Sequence, residues 1–232
     1  RGPVLSRSGY GEHTRQILKY LLTKENIEVH IQALHWGMTP WYLNPDSCNG
    51  LIGKALERCT FDSSKKYDVT IQCQLPNEWD ASLGNYNIGV TAGVETDFSN
   101  PVWASLHVEK MDKVIVPSHF TMRGLTKKCA VSTPIEVIPE SFFEELHIEP
   151  EEDVIEDLVE TNFNFLTVGV LTGKTPETDR KNLFYLIKWF IEEFASEKDI
   201  GLIVKTNSGR ETQIDRVLTE RLLGAVLNEI GY

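Results

Sequence analysis

The stretch from Asn87 to Phe120, NIGVTAGVETDFSNPVWASLHVEKMDKVIVPSHF, restricts the fold more than any other part of the chain. Ile88, Val90 and Ala92 form one short apolar strand, and Val114-Ile115-Val116 form a second that is β-branched and short enough to be buried. Between them, Asn100-Pro101 predicts a helix start. Asn caps well, and proline suits the first helical position because its missing N–H has no partner to lose there. The helix is expected to run to about Met111. Strand, helix and strand in this order make a parallel βαβ unit, and sites in open α/β sheets lie beyond the carboxyl ends of strands. Glu95, in the small-then-acidic loop Gly93-Val94-Glu95-Thr96-Asp97, falls at such a position.

The chain has 232 residues, enough to bury roughly 70–75% of its unfolded surface in one large or two modest domains. No apolar run approaches the roughly 20 residues that span a bilayer, so no transmembrane segment is expected. Arg1-Gly2-Pro3-Val4-Leu5 lacks the charged-then-apolar pattern of a signal peptide. A net charge of −11 argues against nucleic acid as a partner, because phosphate backbones reward positive surfaces. Ten acids lie between residues 140 and 160, where there is no Lys or Arg, so the acidity is local and reads as a solvated linker or an acidic docking surface. Cys48, Cys59, Cys73 and Cys129 show neither C-x-x-C nor zinc-site spacing, so no metal is expected. Buried free thiols imply a reducing compartment, the cytoplasm.

Taken in order, the remaining segments repeat the alternation. Ser6-Arg7-Ser8-Gly9-Tyr10-Gly11 is a turn opening a helix from about Glu12 to Lys24, whose apolar stripe is Ile17, Leu18, Leu21 and Leu22. A glycine turn at a helix N-terminus offers N–H groups to phosphate, although Gly9-x-Gly11 with Thr14 is only part of a dinucleotide fingerprint. Val4-Leu5 reads as the tail of a first strand and Glu28 to Leu34 as a second. The loop from His35 to Tyr42 carries Trp36 and Trp41, which either stack on a sugar ring or pack beneath the loop. A helix near Leu51 to Arg58, a strand from Tyr67 to Leu75, a helix from Ser118 to about Lys128 and a strand from Ile135 to Pro139 follow, with helices expected on both sheet faces. Beyond the acidic segment come a strand from Asn164 to Leu171, an apolar helix opened by Arg180-Lys181-Asn182, a strand from Ile200 to Thr206 and a helix from Gln213 to Glu229. Two strands make a small sheet, so this module reads as incomplete.

Four places in this order resemble the retaining glycosyltransferases of the GT-B type, the group 1 or family 4-like enzymes. They are Ser8-Gly9-Tyr10-Gly11 with Arg15; Val94-Glu95-Thr96-Asp97 leading to Pro101-x-Trp103; Asp112 to Ser118 with Phe120; and Val168-Gly169 followed by Arg180-Lys181-Asn182. The resemblance implies a Rossmann-type acceptor-side domain over residues 1–139, an acidic linker over 140–162 and an incomplete donor-side Rossmann-like domain over 163–232. It implies two facing domains that transfer a sugar from a UDP- or GDP-sugar to a glycan or other hydroxyl acceptor. No cofactor beyond the nucleotide sugar is implied.

Carried over by position, Gly9, Tyr10 and Gly11 meet the donor diphosphate, as do Arg180 and Lys181, which resemble the family's diphosphate clamp. Glu95 lines the acceptor side as base or orienting group, with Thr96 completing the Glu-Thr pair of one subgroup and Trp36 on the same side. Val170 stands where the family often has Arg after Val-Gly, and the family's paired donor glutamates have no counterpart in this sequence, which therefore reads as a fragment. The absence of Asp-x-Asp fits metal-independent chemistry. The alternative is a non-catalytic partner subunit that keeps the fold.

Overall fold

The computed structural model describes residues 1–142, 159–171, 175–207, 209, 210 and 212–231. The chain divides into two compact units, Arg1–Leu146 and His147–Tyr232. Most of the acidic segment, residues 143–158, lies outside the described residues, as does part of the expected loop after Leu171.

In the first unit, four parallel strands stand in the order β1 (Tyr67–Cys73), β2 (Gly84–Val90), β3 (Lys113–Val116) and β4 (Ile135–Val137). The β1–β2 ladder runs from Tyr67 opposite Gly84 to Cys73 opposite Val90. Val90, Val114 and Val116 are fully buried, as strands covered on both faces require. Arg1 extends the sheet: its amino group donates to the Ile71 carbonyl at 2.8 Å, and Cys73 N donates to its carbonyl. Gly2 in turn bridges Ala33 in parallel. This is a Rossmann-like α/β architecture.

Two local expectations are corrected. The segment Glu28 to Leu34 is extended but makes only the one bridge at Ala33, because the chain turns directly after Gly2, with Ser6 N donating to the Pro3 carbonyl at 2.9 Å. The helix expected after Asn100 is irregular. Residues 103–107 form a π-turn, with the Val108 N–H reaching both the Trp103 and Ala104 carbonyls, and residues 108–110 tighten into a 3-10 turn. The Thr133 hydroxyl then satisfies the carbonyls of Val108 and Met111. The β1–β2 connection, where no helix is expected, holds a single 3-10 turn at Pro76–Glu78. Buried Gln72 holds it, donating to the Asp80 carbonyl at 2.7 Å and accepting from Asp80 N at 2.8 Å.

Helix α1 (Gly9–Leu21) begins three residues earlier than its apolar stripe suggests, because the Ser8 hydroxyl accepts from Gly11 N and caps it. Behind the cap, buried Arg15 donates to the carbonyls of Val4 and Ser6 and pairs with Glu12. Leu18 of α1, Leu51, Ile52 and Ala55 of α2 (Leu51–Glu57), and Val4, Leu5 and Ile31 form one core. Each such Leu or Ile contributes about 1.5–3 kcal/mol by burial. Helix α3 (His119–Thr126) starts at Ser118, whose hydroxyl accepts from Thr121 N.

The second unit pairs β5 (Phe163–Val170) with β6 (Ile200–Asn207) in parallel across helix α4 (Leu183–Phe194), and α5 (Gln213–Ile230) follows. Leu171, Leu183, Phe184, Ile187 and Val226 form its core. Leu166 and Val168 of β5 remain 63% and 65% exposed. Among the described residues no helix is long and apolar enough to cross a membrane. All four cysteines are free, but only Cys73 is buried; Cys59 is exposed.

A side chain at Gly11 has no room, since its Cβ would lie 2.1 Å from the Ser6 carbonyl oxygen, whereas a Cβ at Gly9 meets nothing within 4 Å. Gly11→Ala is expected to cost about 3 kcal/mol or more, and Gly9→Ala to be neutral or stabilising by up to about 1 kcal/mol. Urea denaturation of the two variants side by side decides it, and equal midpoints would contradict this packing.

Candidate functional site

The residues singled out in the first unit gather where α1 begins and β2 ends. The Tyr10 ring stacks on Trp36, centroids 4.0 Å apart and planes inclined at 22°. Its hydroxyl crosses to the carboxyl end of β2, where it shares a 2.9 Å hydrogen bond with Thr91 Oγ1 and accepts one from Ala92 N at 2.9 Å. Burial pushes the Tyr10 phenol above its ordinary pKa, against the opposing pull of these hydrogen bonds. Tyr10 therefore fastens the glycine turn to the loop that carries Glu95 and Thr96.

The two glycines of that turn have separate roles. Gly11 packs on its own backbone and its N–H is taken by Ser8, while Gly9 is exposed with open space above it. Gly9 is thus the position where a ligand has access to the backbone at the N-terminus of α1.

Helix α3 holds the loop after β2. Gly93 takes φ +72°, and a Cβ there would lie 2.8 Å from Thr121 Cγ2. Thr121 Oγ1 donates to the Ala92 carbonyl at 3.2 Å, and Ser99 donates to the Gly124 carbonyl through both its N–H and its hydroxyl. Asp97 pairs with Lys127, and the hydrogen bond and charge of that lysine hold its carboxyl below the usual range. Glu95 and Thr96 are both exposed on the loop so anchored, and the Thr96 hydroxyl turns back to the Phe98 carbonyl at 2.9 Å. Sequence reasoning missed Thr91 and Thr121. Thr91 sits within an apolar strand run, where only its place at the strand end marks it.

Arg180 and Lys181 belong to the second unit, both exposed just before α4. The N-terminus of α4 already receives an anion from its own chain. Buried Asp179 accepts from Leu183 N at 2.7 Å and from Lys181 N at 3.3 Å, taking the capping role that Asn182, at φ +58°, does not fill. The sequence reasoning did not single out Asp179, which stands four residues before Leu183.

His13, one turn along α1 from Tyr10, has a nearly buried side chain whose Nδ1 lies 3.3 Å from Glu140 Oε1. Burial pushes its pKa down, partly offset by Glu140. Ser141 donates to Gln16 at 3.2 Å, so the acidic segment starts against α1. Among the described residues no group of three or more His, Cys, Asp or Glu side chains is placed to hold a metal ion.

Compared with protein-family models, curated proteins and solved structures, the chain matches none of them.

Tyr10→Phe leaves the Ala92 N–H without its acceptor and is expected to cost about 1–3 kcal/mol. Hydrogen exchange over residues 91–93 should accelerate in this variant, and unchanged protection there would contradict the link. For His13 the folded pKa lies below the unfolded value of about 6.5, so the unfolded chain binds the proton first. Stability is expected to fall as pH drops below about 7. His13→Gln should flatten that fall in denaturation midpoints measured from pH 7.5 to 5, and an identical profile would exclude His13 as its source.

Proposed function

We propose that this protein is a metal-independent glycosyltransferase that moves a sugar from a UDP- or GDP-sugar to a hydroxyl acceptor. The carrying observation is that Gly9, Tyr10, Trp36 and the loop bearing Glu95 and Thr96 meet at the carboxyl edge of one parallel sheet, joined by the Tyr10 hydroxyl. That edge is where α/β sheets bind ligands. In the reaction the bond between the anomeric carbon and the diphosphate oxygen breaks, a bond to the acceptor oxygen forms, and the acceptor proton passes to a base. Glu95, exposed on an anchored loop, is the candidate for that base or for the group that orients the acceptor. Arg180 and Lys181 supply positive charge against the leaving diphosphate.

A second reading, a binding subunit with this fold and no chemistry, is favoured by the exposed Leu166 and Val168 on β5, an apolar surface of the kind partners cover. Nucleotide release from a panel of UDP- and GDP-sugars, using the full-length gene product, separates the two. The first reading expects turnover that Lys181→Ala lowers by about 100-fold or more. Undiminished turnover in Lys181→Ala removes that lysine from the mechanism. No release from any donor favours the binding subunit.

A further inference from the structure

The loop that carries Glu95 and Thr96 is held to α3 by contacts of two kinds. At its start, buried Thr121 donates to the Ala92 carbonyl at 3.2 Å, and its methyl group lies against Gly93, which turns the chain at φ +72°. At its end, buried Ser99 donates to the Gly124 carbonyl through its N–H at 2.9 Å and its hydroxyl at 3.2 Å. Between these anchors the crest meets two lysines at the end of α3. Asp97 pairs with Lys127, and Lys128 Nζ stands 5.2 Å from the centroid of the Phe98 ring. All four of these residues are exposed. The Thr96 hydroxyl donates to the Phe98 carbonyl at 2.9 Å, which ties Thr96 to Phe98 across Asp97, so a shift of Asp97 carries Thr96 with it.

The magnitudes separate the two kinds of contact. The buried hydrogen bonds fix where the loop leaves the fold and where it rejoins it. An exposed ion pair shifts an equilibrium by roughly 1.5- to 5-fold and is screened by salt. That is too little to hold the loop, and enough to choose among arrangements of its crest. A cation at the C-terminus of α3 also complements the helix dipole, which is reason enough for a lysine there. The dipole asks nothing of Asp97, however. Its pairing with Lys127, one residue from Thr96 and two from Glu95, gives that lysine a second task.

We propose that Lys127 is a positioning residue, setting the crest of this loop, and with it Glu95 and Thr96, through its pair with Asp97. The proposal rests on the glycosyl-transfer reading for what Glu95 and Thr96 then do; the positioning itself stands without it.

Brief chymotrypsin digestion of the native protein tests it, with the cut after Phe98 followed by mass spectrometry. Each rate is divided by that of an unstructured peptide of the same loop sequence. Cutting of a transiently opened loop follows its open population. In roughly 0.1 M salt, Lys127→Met is expected to raise the rate about 2- to 5-fold, and Lys127→Arg to restore it. In roughly 1 M salt the wild type should approach the Lys127→Met rate, because the pair is screened. Asp97→Asn should match Lys127→Met, and the double variant should be no faster than either, since both remove one interaction. Exchange of the Ser99 N–H should stay unchanged, which separates a shifted crest from a loosened fold. In nucleotide release from whichever UDP- or GDP-sugar turns over, Lys127→Met should lower kcat by about the same 2- to 5-fold with the donor KM unchanged. The proposal is overturned if Lys127→Met is cut like wild type, if Lys127→Arg does not restore the rate, or if the effects of Asp97→Asn and Lys127→Met add. No nucleotide release from the wild type would sink the transfer reading alone, and the digestion would then decide the positioning by itself.

Discussion

The buried guanidinium of Arg15 is the constraint on which the candidate site depends. By donating to the carbonyls of Val4 and Ser6 and pairing with Glu12, it fixes the turn between the first extended residues and α1. That geometry brings the Ser6 carbonyl against Gly11, lets Ser8 cap the helix and sets Tyr10 where its hydroxyl reaches Thr91 and Ala92. A buried cation is costly unless hydrogen-bonded, and here three acceptors surround it.

Two kinds of surface meet the roles proposed for this chain. The edge formed by Tyr10, Thr91 and Thr121 is rich in neutral hydroxyls whose bonds are largely internal, a rigid platform rather than a charged trap. The cations assigned to diphosphate stand in the second unit, on a helix start whose backbone already caps itself with Asp179. Any phosphate held by Arg180 and Lys181 is therefore held by side chains and not by the helix end.

Much of the fold was legible because β-branched runs such as Val114-Ile115-Val116 are too short and too apolar for anything but buried strands. The caps were legible as well, with Ser118 starting α3 as its place after Pro117 predicts. What escaped was tertiary. The turn from Pro3 to Ser6 cuts short a ladder that the sequence around Glu28 to Leu34 invites, and an amide clasp from Gln72 holds the connection between β1 and β2. Tyr10 and Trp36, both singled out from sequence, prove to be partners, a pairing across 26 positions that no local pattern encodes. The Glu140 contact with His13 was hidden in the same way, inside a run that composition marks only as solvated.

The seat of Arg1 and Gly2 between two later segments also bears on the order of assembly during synthesis. These residues leave the ribosome before either of their neighbours exists, Gln32 to Leu34 on one side and Ile71 to Cys73 on the other. At about 5–20 residues per second the wait for Cys73 is roughly 4–14 s, long compared with the microseconds of helix formation. Helix α1 therefore has time to form before Arg1 and Gly2 find both of their neighbours. The strand they represent can join the sheet only after both of its neighbours have been made.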